Sequence, residues 1–208
     1  MNTALQNGVS VMKERPCLSM EKAKASALCA AETAGDWIVG FGIAGDEMKG
    51  KPKDFRYSFD MAREAGLRLT AHAGEWGGAQ SVADAIDDLK VERIGHGVHA
   101  INDLGLVDRL AEKQITLEVC PGSNVTLGVY PHLEQHPIEK LRERGVKVTV
   151  STDDPPFFHT TMRDEYVNLA RTFGWDEDVF ADLNKTAANA AFCDEATRER
   201  VLKTLEPA

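Results

Sequence analysis

Residues 67–75 read Leu-Arg-Leu-Thr-Ala-His-Ala-Gly-Glu. Gly66, a helix-ending residue, precedes a short apolar run, Leu67–Ala71, which leads directly into His72, Gly74 and Glu75. Such a run is a strand by length, and its C-terminal tip carries reactive side chains. The pattern recurs on both sides. Trp37–Ile43 (WIVGFGI) leads into Gly45-Asp46-Glu47, and Val91–Gly95 leads into His96. Ile115–Cys120 is followed by Pro121-Gly122-Ser123-Asn124, and Val146–Ser151 by Asp153-Asp154. Helical periodicity fills the intervals at Met20–Thr33, Asp54–Ala65, Gln80–Leu89, Asp103–Lys113 and Pro137–Arg144. From Met162 onward the pattern is helical, with breaks near Gly174 and Asp194.

Strands that alternate with helices predict a parallel α/β sheet. A doubly wound sheet collects its ligand at one switch point, whereas here five successive strand ends bear polar residues. That placement predicts part of a TIM (β/α)8 barrel, about its last five βα units, with C-terminal helices. No GxGxxG follows a strand and no GxxxxGK[ST] occurs, so neither nucleotide-binding fingerprint is present. No repeat or linker divides the chain, which reads as a single domain over residues 1–208. The strands read as apolar on both faces, as in WIVGFGI and KVTVS.

The 208 residues carry 24 basic and 33 acidic side chains, a net charge of −9, with 43% hydrophobic residues. This is the composition of a folded globular protein. An acidic balance argues against nucleic acid as a partner. No apolar run approaches the ~18 residues of a membrane span, and the N-terminal residues lack a signal-peptide pattern, so a cytoplasmic protein is expected. Cys17, Cys29, Cys120 and Cys193 are widely spaced and read as reduced, mostly buried thiols.

The tips carry the chemistry. His72 and Asp153 are of the types that bind zinc, and a catalytic zinc keeps three or more protein ligands plus a water. Such a water ionises near pH ~7 and attacks as hydroxide. Glu75 could carry the proton and His96 could orient the water. Two carboxylates, Asp153 and Asp154, could divide their work between a metal and a substrate donor, although adjacent acids after a strand also serve as helix N-caps.

In this order, AGDE (Ala44–Glu47), HAGE (His72–Glu75), GHG (Gly95–Gly97), CPxSN (Cys120–Asn124) and STDDP (Ser151–Pro155) resemble the adenosine deaminase family of metal-dependent hydrolases. The resemblance runs from about Met20 to the C-terminus. It implies that His72 and Asp153 are zinc ligands, that Glu75 protonates purine N1, and that His96 positions the attacking hydroxide. It further implies a hydrogen bond from Asp154 to purine N7 and a contact from the Gly45 N–H to N3. The expected reaction is hydrolytic deamination of adenosine or 2′-deoxyadenosine to inosine and ammonia. The alternatives are a deaminase of adenine or another 6-aminopurine, and a non-catalytic purine-binding remnant. Gly95 before His96, where adenine deaminases tend to carry Asp, favours the nucleoside.

One departure stands beside the match. The family takes two further zinc ligands from an HxH motif on its first strand, and this sequence contains no HxH. The chain therefore reads as the C-terminal part of a deaminase, weakly active or inactive by itself. Val9–Ser19 reads as a remnant of the third crossover without a clear strand. Open sheet edges predict self-association.

Overall fold

The computed structural model describes residues 9–13, 20–35 and 37–206. Its sheet comprises β1 (Val9–Lys13), β2 (Gly40–Ala44), β3 (Arg68–Ala73), β4 (Arg93–His96), β5 (Thr116–Val119) and β6 (Lys147–Val150). All pairings are parallel, and each strand lies beside its sequence neighbour. Strand order never reverses, which excludes a doubly wound sheet and gives the progression of a (β/α)8 barrel over six of its strands.

Two expectations are corrected. Val9–Lys13 pairs from Val9↔Gly40 to Lys13↔Ala44, so the described sheet has six strands rather than five. A five-residue segment announces itself weakly even after Asn7-Gly8, and it is pairing with β2 that makes it a strand. The second strand begins at Gly40 rather than Trp37, because Trp37 is 84% exposed and Ile38 makes only an isolated bridge to Ala34.

The helices follow their sequence signals closely. α1 (Met20–Glu32) buries the stripe Ala23, Ala27, Ala30. α2 (Arg56–Glu64) follows a 3-10 turn at Pro52–Phe55. α3 (Gly78–Asp84) passes into a single π turn, Ala85–Leu89, where one helix was expected. α4 (Leu104–Glu112) is capped by Asp103, whose side chain accepts from Leu106 N at 3.1 Å. α5 (Pro121–Thr126) and α6 (Ile138–Glu143) lead to β6. α7 (Pro155–Phe158), α8 (Met162–Phe173), α9 (Glu177–Ala190) and α10 (Glu195–Thr204) complete the chain, with Gly174 and Asp194 capping at the two expected breaks. No described helix is long and apolar enough to cross a membrane.

The strands are not apolar on both faces. Phe41, Leu69, Ala71, Ile94, Leu117, Val119 and Val148 lie on one face and join the core formed with Phe59, Ala62, Val107 and Leu110 of the helices. Alternation and register put Gly42, Thr70, Arg93, Thr116, Glu118 and Thr149 on the other face, the one a barrel turns inward. Thr70, Arg93, Thr116, Glu118 and Thr149 are buried all the same. At the N-terminal end of the strands, Arg93 stacks 3.6 Å above the Phe192 ring and donates to Ala190 O at 3.2 Å. The turn after α9 thus packs against the end of the sheet opposite the reactive tips.

The thiols also differ from expectation. Among the described residues Cys29, Cys120 and Cys193 are free, but only Cys120 is buried. Cys17 lies outside the described residues.

Candidate active site

The C-terminal tips of β2 to β6 carry the predicted residues. His72 is the penultimate residue of β3, His96 the last of β4, and Asp153 follows β6. Two of them sit on left-handed backbone although neither is glycine: His96 at φ 64° and Asp153 at φ 59°. Such conformations cost ~1–3 kcal/mol each and persist where surrounding contacts hold them. Gly74, at φ 76°, is required by space as well, since a Cβ there would lie 2.3 Å from Val82 Cγ2. The bend it permits carries the chain from His72 to Glu75.

Glu75 lies between the two imidazoles. Its Oε2 is 3.2 Å from His72 Nε2 and its Oε1 is 3.5 Å from His96 Nδ1. The two rings are 4.6 Å apart. His96 Nε2 faces Asp153 Oδ2 at 3.9 Å, and Asp153 accepts from Ser123 Oγ at 2.8 Å. His72, Glu75 and His96 can each offer a ligand atom within 4.8 Å of the others, as can His96, Cys120 and Asp153. The two expected zinc ligands fall in different groups, with His96 common to both.

Glu47 holds this loop. Its carboxylate accepts from Gly74 N at 2.7 Å, Glu75 N at 2.8 Å, Gly77 N at 3.0 Å and Ser81 Oγ at 2.7 Å, and it lies 3.2 Å from His72 Nε2. Burial raises the Glu47 carboxyl, but His72 and these donors outweigh it and hold the group far below the usual carboxylate range. Burial alone would lower His72. Glu47 and Glu75 reverse that and push it up to about 9. Burial likewise raises Glu75, and the two histidines bring it below its ordinary value. His96 is lowered by burial and by the neighbouring His72.

Behind these groups stands Asn124. Its Nδ2 lies 3.1 Å from Glu75 Oε1 and 3.2 Å from His96 Nδ1, while its Oδ1 lies 3.2 Å from His136 Nε2. Glu47, Ser123 and Asn124 fall inside the recognised motifs, although no role followed from the sequence. His136 lies in none of them, and its one signal in the sequence is the proline that follows. Gly45 lines a cavity of ≈ 200 Å³ with Glu47, His72 and Ser81. Asp154 is half-buried and begins α7 without a side-chain capping bond, so the N-cap alternative receives no such bond.

The donor set suits zinc in kind. His72 Nε2 is buried and has no aligned hydrogen-bond partner, since its two carboxylate neighbours stand at 3.2 Å without the angles of a bond. Asp153 supplies an oxygen donor at the tip of β6, three strands further along the sheet. Two ligands are fewer than the three a catalytic zinc takes. Among the described residues, His99 belongs to neither group of candidate ligands.

The match extends beyond the site, because the family model for adenosine deaminase fits residues 5–208. The chain belongs to the adenosine deaminase family. Within that family, an adenine deaminase of Rhizobium johnstonii is 51% identical over 173 residues, 83% of this chain and 54% of the relative. The solved adenine deaminase of Arthrobacter aurescens superposes with a TM-score of 0.84 at 32% identity, covering 90% of this chain and 57% of that one. An amidohydrolase of Burkholderia ambifaria, solved with bound Zn, gives 0.78 at 26% identity, covering 95% and 57%. The chain thus spans a little over half the length of these relatives. The preference for a nucleoside drawn from Gly95 gains no support from the Rhizobium and Arthrobacter relatives, which are named adenine deaminase.

Proposed function

We propose that this chain forms the proton-handling side, and two zinc ligands, of a hydrolase that converts adenine to hypoxanthine and ammonia. The observation that carries the reading is the Glu75 carboxyl set between His72 Nε2 and His96 Nδ1 at adjacent strand tips. Adenine is preferred to adenosine because relatives at about half identity bear that name. His72 and Asp153 would hold the metal. A bound zinc supplies a nucleophilic water at neutral pH.

The remaining work falls to side chains. Water adds its oxygen to C6, so ring N1 must take a proton as C6 becomes tetrahedral, and Glu75 is the donor. The C6–N bond then breaks, and the amino group leaves with a further proton as ammonia. Glu75 must therefore hold its proton near neutral pH. In the metal-free chain the two histidines hold Glu75 below its ordinary value against burial, which raises it, so proton donation requires that His72 give up its contact with Glu75. His96 orients the water, Asp154 takes the N7 contact, and the Gly45 N–H takes N3.

The test joins the N-terminal region of the Rhizobium johnstonii relative to this chain and follows the ultraviolet change of adenine and adenosine with zinc present. Adenine turnover is expected to exceed adenosine turnover, and Glu75→Gln is expected to lower kcat by ~10²–10⁴-fold. The 208-residue chain alone is expected to show little or none. Unchanged turnover in Glu75→Gln would overturn the role, and a preference for adenosine would restore the nucleoside reading.

A further inference from the structure

The hydrogen bonds behind Glu75 and His96 have a direction, and a backbone group sets it. Ile138 N–H, which can only donate, points to His136 Nδ1 at 3.2 Å. Nδ1 must therefore be the bare nitrogen of a neutral ring, with the proton on Nε2. His136 is 2% exposed, and burial, the larger cause, lowers it to about 3, in keeping with a ring that stays neutral. Pro137 favours extended backbone for the residue before it, and His136 has φ −67° and ψ 134°. Its edge-on contact with Tyr130, 5.1 Å between centroids, further packs the ring.

From that fixed ring the order propagates. Nε2–H of His136 faces Asn124 Oδ1 at 3.2 Å, so the amide oxygen must point to His136 and the amide nitrogen away from it. The Asn124 NH₂ then has one hydrogen for Glu75 Oε1 and one for His96 Nδ1. His96 is left with its proton on Nε2, the nitrogen that faces Asp153. A flipped Asn124 would set two donors against each other at His136 and present an oxygen to the Glu75 carboxylate.

We propose that His136 is a positioning residue, which acts through Asn124 to orient the Glu75 carboxyl and the His96 ring. It touches neither substrate nor metal. The assignment matters for catalysis only if Glu75 and His96 handle protons as proposed above, but its test is independent of turnover.

That test is nitrogen-15 NMR of the histidine rings in the full 208-residue chain near pH 8, where bare and protonated ring nitrogens are distinguished. The expected spectrum has bare Nδ1 on both His136 and His96. A proton on Nδ1 of either residue in the unmodified chain overturns the proposal. His136→Gln, whose amide N–H can still donate to Asn124, is expected to keep the His96 pattern. His136→Phe is expected to lose it, giving His96 a mixture of the two tautomers. A folded His136→Phe chain with an unchanged His96 pattern also overturns the proposal. Should that variant not fold, the unmodified spectrum and His136→Gln decide between the outcomes.

Discussion

Glu47, in the loop after β2, accepts a hydrogen bond from the backbone N–H of Gly74 across 2.7 Å. One side chain thereby ties two neighbouring strand tips and also satisfies the N–H groups of Glu75 and Gly77. Replacing it with alanine leaves the Glu75 and Gly77 donors unsatisfied, at ~1–3 kcal/mol for each that stays buried, while Gly74 N–H keeps Ser81 Oγ at 2.7 Å. Glu47→Ala is therefore expected to lose at least ~2 kcal/mol of stability in denaturant melts. A loss within ~0.5 kcal/mol, the range of ordinary surface substitutions, would show that the carboxylate does not hold the loop.

His136 gives stability a pH dependence below neutrality. Its folded value is about 3 against an ordinary 6.5, so above 6.5 both states are neutral and it contributes no slope. Between 6.5 and 3 the unfolded chain binds a proton that the folded chain does not, and stability falls as pH falls. The slope is at most ~1.4 kcal/mol per pH unit. His72, raised to about 9, acts with the opposite sign in the zinc-free chain: its contribution is complete below 6.5 and is lost as pH rises through 9. Denaturant midpoints between pH 7.5 and 5 are expected to fall more steeply in the unmodified chain than in His136→Phe. Parallel curves would contradict the burial of a neutral ring.

Zinc uptake should be weak. Two ligands, His72 and Asp153, fall short of the usual three, so the chain is expected to lose zinc on dialysis against a mild chelator. His72→Ala is expected to abolish the uptake that remains. Stoichiometric zinc retained after dialysis, by elemental analysis, would mean that the chain supplies a ligand outside the expected pair.

Among the described residues, β1 and β6 each lack a partner on one side. Unpaired strand edges invite pairing with other chains. The inward face is polar, with Thr70, Glu118 and Thr149, so the drive to associate comes from these edges more than from apolar surface. Size-exclusion chromatography is expected to show elution that shifts with concentration. A monodisperse monomer at every concentration, with a sharp cooperative melt, would overturn this expectation.

Much of the fold is legible from local chemistry alone. Gly66 and Gly145 end helices with left-handed backbone at φ 81° and 80°, and short apolar runs followed by polar residues mark β2 to β6 and the end of the sheet that bears the site. His72, Glu75, His96 and Asp153 stand out because each interrupts such a pattern at a strand tip. Tertiary structure alone decided the rest. β1 exists through its pairing with β2, and the polar inward face emerges only once register aligns Thr70 with Arg93. Glu47 and Asn124 acquire their roles from partners 27 and 49 residues away, Gly74 and Glu75. His136 acquires its role from Asn124, which reaches two other strand tips. Periodicity and capping depend on neighbours within a turn or two and can be read along the chain, whereas a hydrogen-bond network joining separate strand tips depends on how the whole sheet brings distant residues together.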